Sequence, residues 1–302
     1  MSTNLKAHLA LVGTNLFFAI NYSAVKYFTS HEYAGPFGIN VIRVGVSLVL
    51  FWILFLFKPE KTRIQRKDIW TFILCALTAI ALNQMLFIKG LSFTLPIHAS
   101  LLTLIAPILI TIIAAKVLKE KLTIIKATGL LLGVLGAALL VAGREHGAVG
   151  DNIPLGDLLI VLSSVCYAFY FILVKPLMSK YSPILVTRMI FTFGFFLIVP
   201  ISAHEFTAIS WEAFSSTEWV LLFLIVIPGT FFAYIFNVYG IKILSASTAG
   251  AYIYSQPVFA VIISMIFLKE ELSLYKILAG CLIFTGVFLA NKRKVEKIDI
   301  RV

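Results

Sequence analysis

Ten apolar stretches follow one another along the chain, at roughly 7–29, 37–57, 69–89, 95–117, 123–142, 156–178, 183–202, 217–240, 245–268 and 273–291, with only short polar or charged links between them. Each holds about 20 residues, and a helix rising about 1.5 Å per residue then spans a hydrocarbon core of about 30 Å. Hydrophobic residues make up 60% of the chain and charged ones only 13%, so a water-soluble fold has too little polar surface to cover the remainder. The pattern predicts an all-α integral membrane protein of ten transmembrane helices, with no soluble domain left over. Only Lys6 precedes the first stretch and no small-residue cleavage site closes it, which reads as a retained helix rather than a signal peptide.

The formal net charge is +11, a value that in a soluble chain would suggest nucleic acid. Its distribution argues otherwise. With the N-terminus inside, the internal links and helix ends carry most of the Lys and Arg, including Lys58, Lys61, Arg63, Arg66 and Lys67 and the C-terminal group from Lys292 to Arg301. The external side holds Lys26, Lys89, Arg144, Lys269 and Lys276, and Arg43 and Arg188 fall within helices. Such a bias places both termini in the cytoplasm by the positive-inside rule and leaves no nucleic-acid role. Cys75, Cys166 and Cys281 all fall inside apolar spans without paired spacing, as small core residues do, and no metal or cofactor is expected.

The segment VLKEKLTIIKATGLLLGVLGAALL at 117–140 has a near-copy, FLKEELSLYKILAGCLIFTGVFLA, at 267–290. Aligned without a gap, 90–140 and 240–290 share 13 of 51 positions, among them Gly90/Gly240, Pro107/Pro257, Lys126/Lys276 and Gly136/Gly286. Earlier in each half Lys26 corresponds to Lys175 and Arg43 to Arg188. Two five-helix units follow, 1–146 and 147–302. Because five is odd, the second unit lies upside down relative to the first, the inverted-repeat plan of many secondary transporters. The first turn reads KEKL and the second KEEL: Lys121 gives way to Glu271 where the copy is expected outside.

Polar side chains on apolar helices face partners or a water-filled cavity. On the first helix Asn15, Phe18, Tyr22 and Lys26 share a face, and the sixth answers with Ser164, Phe171 and Lys175. The fourth carries Ser100, Thr103, Pro107 and Thr111; the ninth carries Tyr252, Ser255 and Gln256; Asn83 and Gln84 lie in the third, Tyr170 in the sixth, Tyr234 and Asn237 in the eighth. Each alone is explained by an interhelical hydrogen bond worth about 0.6–2 kcal/mol; the set points to a solute-binding site. Pro107 and Pro257 fall near mid-span and are expected to leave the carbonyls of Thr103 and Ile253 without their helical partners, while Pro228-Gly229 marks a third kink. Lys26, Arg43, Lys175 and Arg188 are expected at the two mouths of a pathway, drawing in a carboxylate-bearing solute, although snorkelling to the interface is the plainer account. Asp68 and Asp157 sit at helix starts and no carboxylate lies at mid-span, which disfavours carboxylate-based proton coupling. Gly129, Gly133 and Gly136 give helix five a surface for close packing, so helices five and ten are read as scaffold or subunit contact.

The ten spans in two halves, the first helix running NLFFAINYSAVKYF into its lysine, the arginine early in helix two, the mid-helix prolines of helices four and nine and the Lys-Glu turn after each together resemble the EamA-type family of the drug/metabolite transporter superfamily. The resemblance covers essentially the whole chain. It implies an inner (plasma) membrane carrier, often an exporter of amino acids or related metabolites, with a central cavity between the halves. Lys26, Arg43, Pro107, Pro257, Glu120 and Glu270 are the matching positions. Gln256 has Ala106 as its counterpart, so the halves are not chemically equivalent. The expected function is alternating-access transport. A membrane-embedded enzyme, a channel or an accessory scaffold subunit are the other readings, the first weakened by histidines scattered at 8, 31, 98, 146 and 204 without a metal or catalytic spacing.

Overall fold

A computed structural model describes residues 2–57, 59, 62–118, 124–142, 152–244 and 252–291. These form ten helical spans: α1 (Thr3–Ser30), α2 (Pro36–Phe57), α3 (Ile69–Ala76, a π turn over Leu77–Leu82, then Asn83–Phe93), α4 (Pro96–Leu102 and Ile105–Leu118), α5 (Ile124–Ala142), α6 (Ile153–Leu173), α7 (Pro183–Thr207), α8 (Ser216–Val226, a π turn over Ile227–Phe232, then Ala233–Leu244), α9 (Ser255–Phe267) and α10 (Leu274–Asn291). Six of them are long and apolar enough to cross a membrane unaided; α4, α5, α9 and α10 contribute shorter apolar helices. The first Lys-Glu turn, with Lys119, Glu120 and Lys121, and the start of the ninth span lie outside the described residues, as does the side chain of Thr111.

Local chemistry sets the helix starts. Ser2, Asn152 and Ser182 each accept a backbone N–H from three residues on, and Ser215 and Glu218 form a capping box at the head of α8. Pro183 occupies the first turn of α7, where its missing N–H costs nothing. The outward faces are apolar: Phe57, Trp70, Phe196 and Phe288 are exposed, as suits side chains that meet lipid rather than water.

The packing repeats itself. In one set α1 lies against α8 and α9; in the other α6 lies against α3 and α4; α2 pairs with α7 and α5 with α10. Reciprocity reaches single residues. A Cβ on Gly136 would strike Ile283 and the carbonyl of Ala279, and one on Gly286 would strike Gly133 and the carbonyl of Gly129, the same positions 150 residues earlier. Likewise Gly90 abuts Ile160 while Gly240 abuts Leu11. The glycine surface of α5 is thus filled by α10 of the same chain. An odd helix count per half and reciprocal contacts define two inverted five-helix repeats.

The backbone irregularities also pair. The π turns at Leu77–Leu82 and Ile227–Phe232 are 150 positions apart, and so are the interruptions of the fourth and ninth spans at 103–104 and 253–254. At both interruptions proline cannot donate to the carbonyl four residues back. That carbonyl is not left bare, contrary to the sequence expectation: Ala106 N–H bonds the Thr103 oxygen and Gln256 N–H bonds the Ile253 oxygen, each at 3.1 Å. A tighter three-residue turn replaces the missing bond.

Candidate functional site

The helix interruptions and π turns bring side chains from both halves together. Tyr22 of α1 accepts a short hydrogen bond from the Gln256 amide of α9, and Thr103, at the break in α4, stands beside the same hydroxyl. Gln84 of α3 donates to the Tyr234 hydroxyl of α8 at 3.3 Å; these two positions are 150 residues apart, so the pair lies on the pseudo-symmetry axis. Arg43 of α2 donates from Nε to the Thr230 hydroxyl, 3.1 Å away inside the second π turn, and lies near the hydroxyls of Tyr22 and Tyr234. Phe87 flanks Tyr22 with ring centroids 5.1 Å apart, and Phe18 meets Tyr234 edge-on at 6.3 Å. Tyr170 and Tyr167 of α6 stand near Tyr234.

Tyr22, Arg43, Gln84 and Gln256 are all buried. A cation in such surroundings is costly unless paired, yet among the described residues no carboxylate faces Arg43. Asn40 and Ser47 flank it on the same face of α2 at helical spacing; both are buried and neither side chain finds a hydrogen-bond partner among the described residues. The Gln84 Oε1 atom is also buried without one. Chemically the set offers a guanidinium, hydroxyl donors, an amide acceptor and aromatic walls. An apolar groove at Tyr254, Phe284, Thr285 and Phe288 contains none of these side chains.

Other expected site residues stand elsewhere. Asn15 donates to the Leu11 carbonyl of its own helix, and Asn83 donates to the Ser163 carbonyl at 2.8 Å, holding α3 on α6. Tyr252 binds His8 at 2.7 Å; Asn237 is half-buried on α8. Lys26 is buried rather than snorkelling and donates to the Ser92 carbonyl at the end of α3. Lys175 is exposed, in the short helix Lys175–Met178. Arg188 stacks on Phe55 and Trp52, 3.8 and 4.8 Å from their ring centres. Pro107, Pro257 and Pro228 all sit at backbone irregularities, as their residue type requires.

Besides Asn40 and Ser47, three contributors were not singled out from sequence. Asn21 donates to the carbonyls of Ile225 and Gly229, which the second π turn exposes, and Thr230 donates to the Ile225 carbonyl as well. Both are ordinary polar residues whose role depends on a helix neighbour some 200 positions away. The third is a cluster where α3 turns into α4: His98 Nδ1 stands 2.8 Å from Asp157 Oδ2, both residues fully buried, although Asp157 lies near the start of its helix.

A polytopic bundle of two inverted repeats, with a buried polar set at the broken helices between them, defines a multi-pass membrane protein of transporter architecture. The model of the EamA-like transporter family matches residues 5–142 and again 154–292, and the chain belongs to that family. An uncharacterized transporter of Bacillus subtilis, YyaM, is 22% identical over 95% of this chain and 94% of its own length. A protein of Streptantibioticus cattleyicolor named as a probable terminal-alkyne amino-acid exporter is 25% identical over 97% of this chain and 95% of its own. A solved crystal structure superposes with a TM-score of 0.61 at 17% identity, covering 93% of this chain and 96% of that one, which speaks for the fold alone.

Proposed function

We propose that the protein is a secondary transporter, acting as an exporter, that carries amino acids or similar small metabolites across the plasma membrane by alternating access. The observation that carries this reading is the buried Arg43: a cation with unpartnered polar neighbours and no facing carboxylate among the described residues is a site that awaits an anionic group. The carboxylate of a small metabolite fits Arg43. An amino group fits the unused Gln84 acceptor, and an apolar side chain fits the walls of Tyr22, Phe87, Phe18 and Tyr234. The similarity to a relative named as an amino-acid exporter supports the same class.

In this reading 1–146 and 147–302 rock about the Gln84–Tyr234 contact, both termini lie in the cytoplasm, and Thr103, Tyr170, Gln256 and the kinks at Pro107, Pro228 and Pro257 shape the site. Asn15, Asn83, Asn237, Tyr252, Lys26, Lys175 and Arg188 serve helix contacts or the approaches. The partners are the solute and the lipid bilayer, with no nucleic acid; a second copy, if one associates, has the outer faces of α5 and α10 open to it. A transporter is favoured over an enzyme, a channel or a scaffold subunit by the names its relatives carry. Counterflow of a labelled amino-acid panel in proteoliposomes tests this: saturable exchange of at least one solute is expected, and unitary currents or absence of flux for the whole panel would overturn it.

A further inference from the structure

The hydrogen bond that holds Arg43 reaches into the second π turn. Its Nε donates to the Thr230 hydroxyl at 3.1 Å. Thr230 is fully buried and gives its own hydroxyl proton to the Ile225 carbonyl at 2.9 Å. A hydroxyl has a single proton and two lone pairs, so once the proton is committed to Ile225 the oxygen meets Arg43 only as an acceptor. The direction of the chain from Arg43 through Thr230 to Ile225 is thereby fixed.

Asn21 of α1 closes the same turn from another side. Its amide donates to the Ile225 carbonyl at 3.2 Å and to the Gly229 carbonyl at 3.1 Å. A Cβ on Gly229 would stand 2.5 Å from that amide nitrogen and 2.8 Å from the Leu224 oxygen, so this close approach requires glycine. Side chains of α1 and α2 are thus both tied to one widened turn of α8.

The first repeat has the same widening with different side chains. Ile80 stands where the second π turn has Thr230, and it packs on Gly194 of α7. Tyr170 stands where the first helix has Asn21. The Cys75 carbonyl, the counterpart of that of Ile225, accepts from Thr78 of its own helix at 3.3 Å. Arg188, the counterpart of Arg43, lies against Trp52 and Phe55. A π turn is present in both halves, and a hydroxyl at this position in only one.

We infer that Thr230 is a positioning residue: the π turn of α8, locked by Asn21, presents its hydroxyl to Arg43 Nε and so fixes the plane in which the guanidinium meets a solute carboxylate. This rests on the transport reading of Arg43 as the anion-binding group, and adds the residue that aims it. A guanidinium is a rigid planar fork, so a bond at Nε stops its rotation and leaves the terminal pair of amino groups as the edge for bidentate pairing. Arg43 belongs to the first repeat and Thr230 to the second, so the aim of the arginine depends on how the repeats sit against each other.

Arginine labelled with ¹⁵N at Nε reads this bond in the detergent-solubilised chain without any solute. The Arg43 signal is identified by its loss in Arg43→Lys. Thr230→Val keeps the volume and deletes the hydroxyl, and should speed solvent exchange of the Arg43 Nε–H about tenfold. Thr230→Ser returns the hydroxyl and should bring exchange back to within about twofold of the native rate. Equal exchange in the native and Thr230→Val chains overturns the proposal. Should Thr230→Val fail to fold, the native chain decides: a nuclear Overhauser contact between Arg43 Hε and the Thr230 methyl is expected, and its absence refutes the assignment. In counterflow of an amino acid from the labelled panel, Thr230→Val should raise half-saturation about tenfold with maximal rate within about twofold, and Thr230→Ser should reverse this. A lower maximal rate at unchanged half-saturation contradicts a positioning role. Hydroxyl-dependent Nε exchange with no flux for the whole panel would overturn the transport reading alone.

Discussion

The two repeats agree in backbone and disagree in chemistry. Their helix interruptions, π turns and glycine contacts recur 150 positions apart, yet the corresponding basic residues part company. Arg43 is buried among hydroxyls and unpartnered amides near the pseudo-symmetry axis, whereas Arg188 lies against Trp52 and Phe55. Symmetry builds a frame in which two states have similar energy, since exchanging the roles of the repeats exchanges inward for outward. Selectivity has to come from residues that break that symmetry, and the site residues do so: Gln256 against Ala106, Tyr22 against Phe171, Gln84 against Tyr234.

The most severe break of the comparison is at the arginines. Arg43→Gln removes the cation that faces the central set and should lower solute uptake by at least about thirtyfold, the equivalent of about 2–5 kcal/mol for losing a partner in a buried charge pair. Arg43→Lys should restore little, because an ammonium does not reproduce the fork. Arg188→Gln should cost less, about fivefold, for the loss of its stacking on Trp52 and Phe55, worth about 1 kcal/mol. Equal losses at both arginines, measured as initial uptake in proteoliposomes, would place the solute on the symmetry rather than on its violation.

A test in the opposite sense probes the shared frame. Gly136→Leu and Gly286→Leu each force a side chain into backbone of the facing helix, so each should destabilise the detergent-solubilised protein by about 1–3 kcal/mol or more, and by the same amount within about 0.5 kcal/mol. Thermal unfolding of the two variants side by side checks this. A large inequality would mean that the α5–α10 contact is not reciprocal.

Much of that frame was legible before any coordinates. Ten spans, their division into halves and the inversion follow from apolar run length, the gapless alignment and odd parity. The prolines were legible too, because proline removes a donor wherever it stands. The widening at Leu77–Leu82 was not: its counterpart contains Pro228, but this copy has Thr78 at that position and no breaker at all, so the π turn reflects packing by neighbours. Some of the stripe residues make helix contacts, Asn83 to α6 and Lys26 to the end of α3, since spacing reveals which face a residue occupies and not which helix covers it. Asn21, Asn40 and His98 escaped notice for the same reason: each acts through a partner or setting supplied by helices far away in sequence.

A milder change sharpens the chemical asymmetry within the central set. Tyr22→Phe keeps the ring against Phe87 but deletes the acceptor for Gln256 and the neighbour of Thr103, leaving a buried amide short of one bond. A loss of about 1 kcal/mol is expected, seen as a roughly fivefold rise in the half-saturating solute concentration with little change in maximal rate. Phe171→Tyr, at the corresponding place in the second repeat, is exposed and should leave both quantities within about twofold.

The smallest effect separates the two lysines that the alignment equates. Lys26 is buried and its ammonium reaches the Ser92 carbonyl, so it fastens α1 to the end of α3. Lys175 is exposed in the short turn after α6. Lys26→Gln retains a donor on a shorter stem and should weaken this tie by about 1 kcal/mol, lowering thermal stability and raising half-saturation a few-fold. Lys175→Gln removes one solvated charge and should change neither beyond about twofold, with any residual effect fading as salt rises. Equal, salt-sensitive shifts from both lysines would restore the idea of matched electrostatic mouths, because only long-range attraction acts alike through a buried and an exposed ammonium.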